Sequence, residues 1–303
     1  MSTTSTTPGT GTDSTPRQSG PPRGKRIGNG TALGLFLGYA VLVFFSLIYL
    51  YPFFIQIATS FKTSPDAVGD PLSLIPDGGT TAAFERLFRT DFPLWFGNSV
   101  VVTVLVTAGR VFLDSLAGYA LARIKFVGRE AVFTAILAVL AVPGVILLIP
   151  KFLVLNQLQI YDTYQALVIP LLVDAAGVFI MKQFFENIPL SVEEAARVDG
   201  AGTFRIFWSI VLPMARPALI TLTILSFQGS WNELPHFIVA SQDTDLYTLT
   251  KGVATLTSGQ LGSGKQYPIS MAAALVMTIP VALVFVLFQR YFVTGANAGS
   301  EKG

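Results

Sequence analysis

Residues Glu193 to Pro213 read EEAARVDGAGTFRIFWSIVLP, a stretch that is polar at its start and lies between two long apolar segments. Its local signals describe two short helices joined by a turn. Ser191 stands three residues ahead of Glu194, the spacing of a capping box in which each side chain satisfies an orphan amide of the first turn. Glu193 and Glu194 fall where the helix dipole favours negative charge. Gly200 suits a left-handed C-cap, because it lacks the Cβ that makes that conformation costly. Thr203 is placed to open a second helix, and Pro213 to end or bend it. The pattern predicts a helix-turn-helix outside the apolar spans. An ordinary amphipathic loop would show the same helix signals, so they leave its purpose open.

The flanking sequence sets the environment. Of 303 residues, 51% are hydrophobic and 13% charged, well below the roughly one quarter charged of soluble domains. The net charge of +2 gives no reason to expect nucleic acid as a partner. The absence of cysteine excludes disulfides, thiol catalysis and thiolate metal sites. His236 is the only histidine, so no histidine metal cluster is expected either.

Six apolar stretches are each long enough to cross a bilayer, which takes about 20 residues as a helix. They run from about Ala32 to Thr59, Trp95 to Leu121, Ala131 to Pro150, Tyr164 to Phe184, Ala218 to Val239 and Ile269 to Phe292. Ahead of the first, residues 1–30 are rich in Ser, Thr, Pro and Gly and read as a disordered tail. Its Arg17, Arg23, Lys25 and Arg26 precede an apolar run too long for a signal-peptide core and without a small-residue cleavage site, so a retained anchor is expected. Pro52 is expected to kink the far end of this span. Six spans put both termini on one side. That side, which includes the signature stretch, carries thirteen Lys and Arg and the other six, which places the termini in the cytoplasm. The expected fold class is all-α, a polytopic membrane protein with six transmembrane helices. Its parts are a tail to residue 30, a membrane domain over 31–293 and a cytoplasmic tail over 294–303.

Glu194-Ala195-Ala196, three residues, Gly200, nine residues, Ile210, one residue, then Leu212-Pro213 resembles the EAA signature of the membrane subunits of binding-protein-dependent ABC importers. Asn98-Ser99, the run GYALARIKFVGR from Gly118 to Arg129, Trp231-Asn232 and the C-terminal QRYFVTGANAGSEKG are similar to the carbohydrate branch of these permeases. Within it, the chain is most similar to MalG-like subunits of maltose-type importers, from about residue 30 to the end.

The resemblance implies a type I importer permease whose loop 190–213 carries a coupling helix seated in a cleft of a cytoplasmic ATPase. Carried onto this sequence, that role falls to Glu193, Glu194, Ala195, Ala196, Asp199 and Gly200. Small alanines permit close approach and glutamates can pair with basic residues on the cleft rim. The same residues could instead only cap and space the helices. The implied partners are a second homologous permease, two ATPase subunits, an extracytoplasmic solute-binding protein and membrane lipid. No cofactor is expected on this chain, since ATP and Mg²⁺ belong to the partner ATPases. Cell-membrane localisation and a sugar or oligosaccharide cargo are implied as well. The alternatives are an importer of a non-sugar solute, a stand-alone secondary transporter using intramembrane acids such as Asp174 and Glu233, and a membrane scaffold.

Polar residues inside spans are costly in lipid and usually face the bundle interior or a water-filled path. Arg110 and Asp114, four residues apart, are spaced for an ion pair on one helix face, with substrate contact as the other reading. Asp174 suits either the translocation path or a helix–helix hydrogen bond. Gln228, Trp231, Asn232 and Glu233 combine amides and a carboxylate with an aromatic face, as a sugar site would, though Trp231-Asn232 could equally be a packing feature. Two decoys fail. Gly259, Gly264 and Lys265 have the spacing of a phosphate-binding loop, but Gln266 stands where the Mg²⁺-binding hydroxyl belongs and no strand precedes it. A hydrolytic triad lacks its nucleophile context around His236. No enzymatic activity is expected. Loop 241–268 is read as the surface facing the solute-binding protein.

Overall fold

The computed structural model describes residues 29–258 and 267–300, with side chains over 34–258 and 267–289. The N-terminal tail through residue 28, the phosphate-loop decoy at 259–266 and residues 301–303 lie outside the described residues. All regular structure within them is helical.

In chain order the helices are α1 (Asn29–Ser60), α2 (Ser64–Gly69), α3 (Ala82–Phe88), α4 (Phe92–Arg123) and α5 (Arg129–Leu140). Then follow α6 (Leu148–Gln157), α7 (Tyr164–Val168), α8 (Ala175–Glu186), α9 (Leu190–Val198) and α10 (Thr203–Ile206). The remainder are α11 (Leu212–Met214), α12 (Arg216–Trp231), α13 (Pro235–Ala240), α14 (Leu249–Thr257) and α15 (Tyr267–Ser300). The chain divides into two compact units, Met1–Tyr51 and Pro52–Gly303, a boundary that falls at Pro52 inside α1. The described part of the first unit is one helix with exposed apolar side chains all round, such as Phe36, Leu42 and Phe44.

Four stretches are long and apolar enough to cross a membrane: Gly34–Ser60, Phe92–Arg123, Tyr164–Glu186 and Tyr267–Gln289. Two bent pairs, Arg129–Leu140 with Gly144–Gln157 and Thr203–Met214 with Arg216–Trp231, bring the number to six if each is one span.

The backbone corrects three expected spans. The third is two helices meeting at 100°, with the break at Pro143, which cannot donate and restricts the residue before it. The fourth is interrupted between Leu171 and Ala175, after Pro170. The fifth ends at Trp231, and Pro235 opens the separate α13. At the C-terminal end, α15 continues to Ser300, through most of the segment expected as a tail.

Helix α4 is the strut around which the second unit packs. Where it crosses α8, a Cβ on Gly118 would lie 2.8 Å from the Met181 Cβ and 2.9 Å from the Lys182 amide. Gly177 faces the Asp114 carboxylate more closely still. Small residues at such crossings let membrane helices approach and gain dispersion contacts. One cluster gathers Tyr119, Met181, Phe185, Ala196, Phe207 and Leu222 at the signature end. Another, with Trp95, Trp231 and Leu249, joins α4 to α12, α14 and α15.

Candidate functional site

The signature stretch forms α9, a turn, and α10 running into a wide helical turn at Phe207–Val211. Gly200 adopts φ +83°, the left-handed conformation expected of the C-cap, with open space around its Cα. The wide turn has a local cause. Pro213 has no amide to give the carbonyl one turn back, and the Leu212 amide reaches back five residues to Phe207. After Ala215 the chain bends by 81° into α12.

The capping box does not form. Pro189 occupies the N-cap position, so Ser191 lies inside the first turn and caps nothing. Glu194, the box's expected partner, stays exposed, and it is Glu193 that points inward. It is 1% exposed, with Oε1 3.0 Å from Arg123 Nε and Oε2 accepting from the Tyr119 hydroxyl at 3.1 Å. The Arg123 pair is close enough for a salt bridge but off the line of a hydrogen bond. Arg197 approaches the same carboxylate at 3.7 Å from the exposed side. Arg123 also donates through Nη2 to the carbonyls of Phe185, at 2.5 Å, and Ile188. One guanidinium thus closes the C-terminal end of α8 and holds α9 against α4. Ala196 completes the seat beneath the aromatic group of Tyr119, Phe185 and Phe207. Glu194, Ala195, Asp199 and Gly200 form the exposed edge.

A second brace lies further along α4. Arg110 Nε donates to the Leu171 carbonyl at 2.6 Å, and Asp114 Oδ1 accepts from the Asp174 amide at 3.0 Å. Asp174 in turn caps α8 through the Gly177 amide at 3.1 Å. The expected Arg110–Asp114 ion pair is absent from the salt bridges among the described residues. Both side chains instead satisfy backbone groups freed by the break in the fourth span, as backbone at membrane depth requires.

In the fifth span, Trp231 is buried, stacked on Phe227 at 5.8 Å, and donates Nε1–H to the Met277 carbonyl. It packs the helices and offers no open aromatic face. Glu233 accepts from the His236 amide at 2.8 Å and so opens α13. Gln228 and Asn232 remain exposed on one face of α12. Beside them, a Cβ on Gly229 would sit 3.4 Å from Arg110 Nη1, which brings the Arg110 guanidinium to this polar patch.

At the other end of α4, Asn98 donates to the carbonyls of Asp245 and Tyr247 and accepts from the Tyr164 hydroxyl, while Ser99 accepts from the Leu249 amide. Asp162 ties the loop between the third and fourth spans to this connection, accepting from Ser241 Oγ and the amides of Gln242 and Asp243. Burial alone would raise the Asp162 carboxyl, but these hydrogen bonds and the charge of Lys251 hold it below the usual carboxylate range. Burial pushes Lys251 below its ordinary value, against the pull of Asp162.

A family model described as "Binding-protein-dependent transport system inner membrane component" matches residues 114–297, from the Asp114 brace through α9 and nearly to the end of α15. The chain belongs to this family. The permease is 34% identical over 273 residues to the arabinooligosaccharides transport system permease protein AraQ of Halalkalibacterium halodurans, covering 89% of this chain and 96% of that protein. It is 36% identical over 280 residues to the polygalacturonan/rhamnogalacturonan transport system permease protein YtcP of Bacillus subtilis, covering 88% and 96%. Among solved structures it is similar to a chain of a bacterial ABC transporter involved in import of the acidic polysaccharide alginate. There the TM-score is 0.73 at 26% identity, over 87% of this chain and 98% of that one. The permease is thus a multi-pass membrane component of an ABC importer with the type I fold.

The structure brings Glu193 and Ala196 of the permease to its interior and Glu194, Ala195, Asp199 and Gly200 to its surface. It gathers Arg110, Asp114 and Asp174 at one break, with Gln228 and Asn232 nearby. Arg123 and Tyr119 were missed as site residues. Their signal was the GYALARIKFVGR run, which contains both.

Proposed function

We propose that this permease forms half of the membrane pathway of an ATP-driven importer for a sugar or oligosaccharide, and that the exposed edge of α9 receives the stroke of an ATPase subunit. The importer comprises this chain, a second homologous permease, two ATPase subunits that bind ATP and Mg²⁺, and an extracytoplasmic solute-binding protein. Both termini and α9 lie in the cytoplasm, as the excess of Lys and Arg on that side argues. The carbohydrate cargo is supported by the names of the relatives, which move arabinooligosaccharides, polygalacturonan or alginate.

One observation carries the coupling role: α9 is anchored by the buried Arg123–Glu193 pair while Glu194, Ala195 and Asp199 stay free. A push on that edge passes through Arg123 into the ends of α4 and α8 without loss in a flexible side chain. The break braced by Arg110 and Asp114, at the opposite end of α8, is where the stroke changes helix geometry. Arg110, Asp174, Gln228 and Asn232 line the pathway beside it, offering donors and acceptors to sugar hydroxyls. In proteoliposomes containing the assembled importer and its binding protein, Glu194→Lys should cut uptake at least ten-fold while the complex still assembles. Unchanged uptake and unchanged binding-protein-stimulated ATPase activity would sink the assignment.

A further inference from the structure

Lys62 lies two residues beyond the end of α1 and is 1% exposed. Its Nζ donates to the Asp70 backbone carbonyl at 2.6 Å, a partner that supplies a hydrogen bond but no charge. No carboxylate lies within ion-pair distance of it among the described residues. The nearby Asp66 carboxylate accepts from the Asp77 amide instead. A buried ammonium without a counterion is costly, so the geometry calls for an anion from outside the chain.

The space for one is present. Lys62 lines a cavity of about 380 Å³ together with Thr63, Ser64, Thr80, Arg86 and Ile269. Arg86 is exposed at its mouth and joins none of the salt bridges among the described residues. Its neighbour Glu85 accepts from the Thr81 hydroxyl. Two cations and the hydroxyls of Thr63 and Ser64 match a phosphate, which takes an ammonium as a point charge and a guanidinium as a fork.

Position distinguishes a lipid from a free ion. The cavity opens where two apolar helices reach their ends, just past Ser60 and at the first turn of α15. Val68 in α2 and Ile75 in the connection that follows are 67% and 81% exposed, apolar surface at the same end of the helices that a small anion would not use. We propose that this cavity holds the headgroup phosphate of an anionic phospholipid, with Lys62 at its floor and Arg86 at its mouth.

Native mass spectrometry of the detergent-purified importer complex tests this by titration with phosphatidylglycerol, phosphatidylcholine and inorganic phosphate. Phosphatidylglycerol should bind in preference to phosphatidylcholine. Arg86→Gln, a surface change, should weaken it about ten-fold, the size of one charge-assisted hydrogen bond. Lys62→Gln should abolish binding and Lys62→Arg should retain it. Equal phosphatidylglycerol binding by the wild type and Arg86→Gln overturns the site. Absence of any advantage over phosphatidylcholine, or complete displacement by inorganic phosphate, overturns the lipid as its occupant.

Discussion

Helix α4 braces its neighbours at two places, and the two use charge differently. At its end, Arg123 and Glu193 pair with one another in the interior, and the pair joins three helices. Further along, Arg110 and Asp114 form no salt bridge with one another and each satisfies one side of the broken backbone in the fourth span. The first arrangement holds a surface element rigidly in place. The second stabilises a discontinuity, which is where a membrane helix can change direction. A buried ion pair is costly to half-remove, whereas a backbone cap can be replaced by another acceptor. The first is an anchor and the second a capped break, the element that acts as a hinge in the proposed stroke.

The largest effect is expected at the anchor. Glu193→Ala leaves the Arg123 guanidinium buried and unpaired, which should destabilise by about 3–5 kcal/mol. Thermal melting of the purified complex measures this, and a loss no greater than that of Glu194→Ala would remove the anchor from consideration. At the hinge, Asp114→Ala frees the Asp174 amide and should cost about 1–3 kcal/mol, whereas Asp114→Asn keeps an acceptor and should restore most of it. If Asn and Ala behave alike, the cap is not the function of Asp114. Gly200→Ala meets no neighbour but must hold φ +83°, so it should cost about 1–2 kcal/mol and tilt α10 against α9. Uptake should fall further than that stability change alone implies.

Much of this is legible in the sequence itself. The wide gaps of the signature, the left-handed Gly200 and the number of apolar stretches all follow from local sequence. The inward turn of Glu193 did not, because a run of two glutamates does not say which one faces the core. That choice is made by Arg123, seventy residues earlier in the chain, and by Pro189 displacing the helix start. Arg110 and Asp114 misled for a related reason. Their spacing allows a pair, yet the break in the fourth span presents stronger claims on both, and the sequence shows Pro170 without showing which helix lies beside it. Trp231 looked like a sugar platform until its neighbours Phe227 and Met277 were in place.

A smaller effect belongs to the loops at the far end of α4. The Asp162 carboxyl is held below its unfolded value, so its contribution is complete above about pH 4 and is lost as pH falls through the lower folded value. Asp162→Asn should lower stability at neutral pH, where the carboxylate's contribution is complete, and flatten the acid limb of melts below about pH 4; an identical limb would place the acid sensitivity elsewhere.

The most direct measurement uses the absence of cysteine from this chain. Ala195→Cys then carries the chain's single thiol, on the exposed edge of α9. In the assembled importer, a short thiol-reactive photo-crosslinker at this position should join the permease to an ATPase subunit, with a yield that changes when ATP is added. It should also be shielded from a membrane-impermeant reagent applied outside intact cells. A thiol that reacts from outside, or that forms no ATPase adduct while the complex remains intact, would contradict a cytoplasmic docking role for α9.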